Sequence, residues 1–196
     1  METTVKKPLI SVIMSVFNGE KYLRDSINSI LNQTYRDLEF IIINDGSTDG
    51  SIEVIQEIEE RDNRIVLIDR ENKGLIASLN ECIHLAKGEY LVRMDADDIS
   101  MPNRIEEQLQ FMVENPDVSV LGSYVEIFGY EVKSSIWKLP IKDQALKARL
   151  LFTVAFCHPS VMYKKEIFNE AGFYYNKDYL NAEDYELWTR LAEKYK

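Results

Sequence analysis

Short apolar runs alternate with amphipathic stretches along most of this chain, and that alternation predicts a fold class before any single residue is considered. Residues 9–17 are almost continuously hydrophobic, as a strand buried on both faces should be. Asn18-Gly19 turns the chain, and residues 20–32 place Leu23, Ile27, Ile30 and Leu31 on one helical face. The pair then repeats. A strand over 38–43 precedes a helix over 51–60 with Ile52, Ile55 and Ile58 inward. A strand over 64–68 precedes a helix over 74–87 that buries Leu75, Leu79, Cys82, Ile83 and Ala86, and Gly88 supplies its stop. The fourth strand, 89–94, runs into Asp95-Ala96-Asp97-Asp98. Units of this spacing predict an α/β fold with an open, mostly parallel, twisted sheet flanked by helices and joined by right-handed connections.

After Pro102 the pattern changes. Residues 103–114 form a helix with Ile105, Leu109 and Met112 on one side. Strands over 118–128 and 153–163 are separated by a helix over 143–151, so this half is mixed and should supply an antiparallel or crossing strand. No linker, repeat or low-complexity segment divides the chain, and residues 1–196 read as one domain. The longest apolar runs are far too short to span a bilayer, and the N-terminus lacks the apolar core of a secretory signal. Cys82 and Cys157 match no zinc spacing and are expected as free thiols in a reducing compartment.

The net charge of −10 argues against a protein built to grip a nucleic-acid backbone. It also requires something positive, most economically a bound metal, if the ligand carries phosphate. In a parallel sheet every strand-to-helix loop lies on one rim, where such folds bind ligands. Phe17-Asn18-Gly19, Asn44-Asp45-Gly46-Ser47 and Asp95-Ala96-Asp97-Asp98 should therefore be neighbours.

Taken alone, the last of these is either a solvated turn or a cation site built from hard oxygen ligands. It is not an EF-hand loop, since its fifth and sixth positions are Ile99 and Ser100. The segment from Asp45 fits that pattern better but has Gln56 at position twelve and a strand leading into it. There, Ser47 or Thr48 is expected to cap the next helix, leaving Asp45 for a ligand. No Walker-type loop and no Gly-x-Gly-x-x-Gly follows the first strand. Ser15 offers a hydroxyl, and Phe17 is either a core aromatic or a ring that stacks on a nucleobase.

Taken together, these motifs resemble the family 2 inverting nucleotide-sugar glycosyltransferases. The resemblance is carried by Ser11 to Asn18, Ser29 to Tyr35 and Glu39 to Asp49. It continues through Asn72-Lys73-Gly74, Lys87-Gly88-Glu89-Tyr90, Asp95-x-Asp97 with Pro102 and Arg104, and Glu183-Asp184. It implies a Rossmann-like sheet of the A-type glycosyltransferase fold, with a nucleotide-binding half (1–98) and an acceptor-side half (99–196). It implies that Ser15, Phe17, Asp45 and Asp95 contact a nucleoside diphosphate sugar, UDP-linked by family frequency. Asp97 should coordinate Mn²⁺ or Mg²⁺, with Asp98 assisting there or facing the sugar.

Asp184, at the start of a late helix, is either, with Glu183, an acid that favours a helix N-terminus capped by Asn181, or, as the resemblance implies, the family's general base. His158, in His158-Pro159-Ser160, is either beside the sugar and diphosphate or structural. Arg104 either pairs with an acid of the site or is an exposed helix-start residue. The implied reaction transfers a sugar to a saccharide or lipid-linked acceptor in polysaccharide or glycolipid synthesis at the cytoplasmic side of a membrane. Members of this family usually continue beyond the point where this chain stops. The resemblance therefore also implies a truncated or short member, with acceptor site and peripheral membrane attachment completed elsewhere. A non-catalytic nucleotide-sugar-binding domain is the alternative.

Overall fold

The computed structural model describes residues 9–129, 132–170 and 174–196. In its first half, strands β1 (Ile10–Val16), β2 (Leu38–Asp45), β3 (Ile65–Arg70) and β4 (Tyr90–Arg93) alternate with helices α1 (Glu20–Leu31), α2 (Ser51–Glu59), α3 (Leu75–Leu85) and α4 (Arg104–Glu114). The second half adds β5 (Val120–Leu121), β6 (Val125–Gly129), β7 (Val132–Trp137), α5 (Asp143–Leu150), β8 (Met162–Lys164) and α6 (Glu183–Lys194). The main sheet has the order β3-β2-β1-β4-β8-β5, and β6 and β7 form a separate two-stranded antiparallel sheet. Strands β1 to β4 are parallel, while β8 runs antiparallel to both β4 and β5. The second half thus supplies the antiparallel strand that its mixed pattern predicted.

Strand alternation divides the apolar residues between two cores. Val12, Met14, Phe40, Ile42 and Val92 pack under α1, α2 and α4 through Leu23, Ile27, Ile55, Ile105 and Leu109. Ile13, Ile41, Ile43 and Leu91 pack under α3, α5 and α6 through Leu79, Ile83, Leu150, Leu187 and Trp188. The central strands are covered on both faces, which is why their sequences are nearly unbroken hydrophobic runs. Within α3, Ile76 takes the buried position predicted for Leu75, which is only partly covered. No helix among the described residues is long and apolar enough to cross a membrane.

Two expected strands are shorter than predicted. The run over 118–128 breaks after β5 at Gly122, where an added Cβ would sit 2.6 Å from the Phe156 ring. The run over 153–163 is interrupted by a 3-10 turn at His158–Ser160, where Pro159 has no N–H to give a ladder. Strand β7 was not foreseen, because Lys133, Ser134 and Ser135 interrupt any apolar alternation. Away from the loop rim, Ser11 Oγ donates to Glu39 Oε1 (2.6 Å), which also accepts from the Lys87 amide (2.6 Å). The Gly88 amide donates to Ser11 Oγ (2.8 Å), so this buried network clamps the entry to β4 against β1 and β2.

Candidate active site

The ends of β1, β2 and β4 form the rim, and β1 lies between β2 and β4, where the strand order switches direction. At the end of β1, Asn18 adopts a left-handed conformation (φ +53°) and locks onto the next loop. Its amide donates to Ser47 Oγ (3.0 Å), and its Oδ1 accepts from the Thr48 amide (2.8 Å). Ser47 and Thr48 therefore tie the first two loops together instead of capping α2. The N-cap position of α2 is Gly50, which has no side chain to cap with, and just ahead of it Asp49 Oδ1 accepts from the Ser51 amide (3.1 Å). This sewing leaves the Phe17 ring 55% exposed at the rim, so it is not a core aromatic. Ser15 is half-buried one turn of the pleat below.

Asp45, at the end of β2, is only 1% exposed. Its carboxylate pairs with Arg70 and accepts from the amides of Lys73 and Gly74, both at 2.9 Å. Asn72 Nδ2 donates to the Asp45 carbonyl at 2.8 Å. Gly46 (φ +73°) lies so close that a Cβ would meet the Asn72 nitrogen at 2.6 Å, so only glycine fits. Far from standing free, the Asp45 carboxylate is the anchor that shapes the loop over residues 71–74.

The acid cluster follows β4. One carboxylate oxygen each from Asp95, Asp97 and Asp98 fits within 4.8 Å, with Asp97 exposed and the other two half-buried. Burial, then the charges of Asp95 and Asp97, raise the Asp98 carboxyl above its ordinary value. Clustered hard oxygens that repel one another fit a divalent cation such as Mn²⁺ or Mg²⁺. The loop is fixed from α1: Ser26 Oγ donates to the Asp95 carbonyl (2.7 Å), and the Ser100 amide donates to Ser29 Oγ (3.0 Å). Fully buried Gln33 donates to the Met101 carbonyl (2.8 Å) and accepts from the Ile105 amide (3.1 Å).

Two arginines lie behind the acids. Arg93, the last residue of β4, is 2% exposed and pairs with Asp95. Arg104 is neither exposed nor bonded as either sequence alternative had it: it donates to the Arg93 carbonyl (3.0 Å) and Gln108 Oε1 (3.1 Å). Burial, then the charge of Arg93, lowers its pKa to about 10.

Next to these cations is a group of aromatic and hydroxyl side chains. His158 Nε2 is 2.8 Å from the Tyr175 hydroxyl, and Trp188 Nε1 donates to the Tyr163 hydroxyl at 2.9 Å. Burial, then Arg93, pushes the imidazole well below its usual range, so His158 is neutral at neutral pH. Burial lifts Tyr163 to about 12 and Tyr175 well above its ordinary value, and the Asp184 charge adds to both. Asp184 is half-buried in the first turn of α6 and faces this cluster; Ala182, not Asn181, is the helix cap. Burial also raises the Cys157 thiol to about 11, which leaves it unreactive, and both cysteines are free as expected.

The structure therefore gathers Phe17, Asp45 and the three acids at one rim, and it sets His158 and Asp184 around one hydroxyl cluster. Sequence reasoning missed Arg70, Arg93, Gln33 and the tyrosines. Arg93 left a signal as a charge inside an otherwise apolar strand, and Gln33 lay within the Ser29 to Tyr35 motif without its role being legible.

The family model described as Glycosyl transferase family 2 matches residues 11–172. An uncharacterized glycosyltransferase of Haemophilus influenzae is 38% identical over 195 residues, covering 94% of this chain and 60% of its own length. Among solved structures, mannosyltransferase PcManGT from Pyrobaculum calidifontis, in complex with GDP-Man and Mn²⁺, superposes with a TM-score of 0.74 at 20% identity. It aligns with 98% of this chain and 54% of its own. Staphylococcus aureus TarS 1-349, in complex with UDP, gives 0.75 at 24% identity over 93% of this chain and 54% of its own. The chain belongs to glycosyltransferase family 2 and has the A-type glycosyltransferase fold.

Proposed function

We propose that the chain is an inverting glycosyltransferase that moves a sugar from a nucleoside diphosphate sugar, UDP-linked by preference, to an acceptor hydroxyl. The observation that carries this reading is the acid cluster. Three carboxylates that fit one hard cation lie at the switch point of the sheet, beside an exposed aromatic ring.

Phe17 would stack on the base, and Ser15 would contact the nucleoside from below. Asp45 would act through the loop over residues 71–74, which it holds against the base, since its own carboxylate is enclosed. Asp97 would hold Mn²⁺ or Mg²⁺, assisted by Asp98, and Asp95 would meet the ribose or the diphosphate. A cation bound there supplies Lewis-acid neutralisation of the diphosphate. Asp184 takes the proton of the acceptor hydroxyl as that oxygen attacks the anomeric carbon. The bond from that carbon to the diphosphate breaks, its electron pair leaves with the diphosphate oxygen, and the configuration inverts. Neutral His158, held by Tyr175, would line the sugar and diphosphate side without adding charge. The acceptor would be a saccharide or a lipid-linked saccharide, used in polysaccharide or glycolipid synthesis at the cytoplasmic face of a membrane.

UDP and GDP should each be tested for thermal stabilisation with and without Mn²⁺. UDP is expected to give the larger shift, and only with metal, and Asp97→Asn should remove it. Asp184→Asn should keep the metal-dependent shift while abolishing transfer. Equal shifts with and without metal, or full transfer by Asp184→Asn, would overturn the corresponding assignment.

A further inference from the structure

A guanidinium enclosed at the end of a hydrophobic strand is costly unless it does something apolar packing cannot. Strand alternation turns Arg93 to the same face as Leu91, toward the core that holds Tyr163 and Trp188. It is 2% exposed, and its Nε has no hydrogen-bond partner among the described residues. Burial and the Arg93 charge together disfavour protonation of His158 and lower the pKa of Arg104, so a second guanidinium lies close to the first. Among the described residues Arg93 forms an ion pair with Asp95, whose side chain remains 33% exposed. One side of the Asp95 carboxylate is therefore held from beneath, while Asp97 is exposed and makes no ion pair among the described residues.

We propose that Arg93 is a positioning residue that withholds Asp95 from the cation. The protein ligands of the metal are then Asp97 and Asp98, and the outer oxygen of Asp95 stays directed at a hydroxyl or phosphate of the nucleoside diphosphate. This inference rests on the metal-and-donor reading above and deepens it. It accounts for a buried charge that stability alone does not favour. It also separates the roles of three acids that lie within reach of one ion. A site with all three acids coordinating would hold the cation more tightly and would lose Asp95 as a donor contact.

The test is a Mn²⁺ titration of the full chain, without nucleotide, followed by the loss of the free-ion EPR signal. Asp95→Asn should leave Mn²⁺ affinity within about twofold of the parent, whereas Asp97→Asn should abolish binding. Arg93→Met, of similar length, should tighten Mn²⁺ binding on the order of tenfold by releasing Asp95 as a ligand. Adding Asp95→Asn to Arg93→Met should cancel that gain. Arg93→Lys should stay close to the parent. With Mn²⁺ saturating, UDP should bind at least severalfold more weakly to Arg93→Met.

A large affinity loss in Asp95→Asn alone overturns the proposal even if Arg93→Met fails to fold. So does unchanged or weaker Mn²⁺ binding in a folded Arg93→Met. These results leave the metal reading itself intact. Absence of Mn²⁺ binding in the parent and every variant removes the metal reading, and this inference with it.

Discussion

Replacing Asp45 with Ala should destabilise the protein far more than the loss of one rim carboxylate would suggest. The side chain accepts from two backbone amides, Lys73 and Gly74, each at 2.9 Å, and pairs with Arg70. Without it, Arg70 keeps Glu81 Oε2 (2.8 Å) and Ser78 Oγ (2.9 Å), so the guanidinium is not abandoned. The two amides have no such substitute and are left unpaired under the rim. Hydrogen bonds to a charged acceptor contribute about 1.5–3 kcal/mol each, and breaking a buried pair costs about 3–5 kcal/mol. The expected loss is therefore about 3–5 kcal/mol, roughly 6–20 °C in melting temperature for a chain of this size.

Urea denaturation followed by circular dichroism would measure it, with the m-value checked for constancy. Asp45→Asn should recover only part of the loss, because one amide oxygen must then serve three donors. A loss below about 1 kcal/mol for Asp45→Ala would refute the reasoning. It would mean that water or a shifted loop satisfies Lys73 and Gly74 as well as the carboxylate does.

Phe17→Ala should leave stability within about 0.5 kcal/mol, since the ring is mostly exposed. It should weaken nucleotide binding by roughly 5- to 150-fold, the range of a lost base-stacking contact, as read by calorimetry. Gly88→Ala should lower stability by about 1–3 kcal/mol in thermal unfolding, because its Cβ would lie 2.6 Å from the Ser11 nitrogen. His158 has a folded pKa below its unfolded value, so its contribution to stability is present above pH 6.5 and is lost as pH falls. Between pH 7.5 and 5.5 the parent should lose about 1 kcal/mol that His158→Gln does not lose. Identical pH slopes for the two proteins would show that His158 protonates without hindrance.

The covalent order of hydrophobic and polar residues was enough to determine the strand–helix alternation and the sharing of one rim by three loops. A strand covered on both faces must be apolar throughout, and a helix covered on one face must repeat every three to four residues. Both signals are local, so β1 to β4 and α1 to α4 were legible within a residue or two. Where packing decided, the prediction failed. At Gly122, just after β5, a Cβ would meet the Phe156 ring at 2.6 Å, and on α3 it is Ile76, not Leu75, that the core buries.

The site divides in the same way. Family motifs named Phe17, Asp45, Asp95, Asp97, Asp98, His158 and Asp184 as a set, and parallel-sheet topology set the first five on one edge. Sequence distance hides who holds whom. Asp45 and Arg70 meet because β2 and β3 pair in register at their last residues. Arg93 and Asp95 pair within one strand exit, two residues apart, but Arg93 lies near Tyr163 only because β8 runs antiparallel beside β4. Charge, burial and hydrogen bonding depend on distances in space. The sequence alone therefore determined which acids are present and on which rim, and only the tertiary structure decided which are enclosed, which are paired and which face outward.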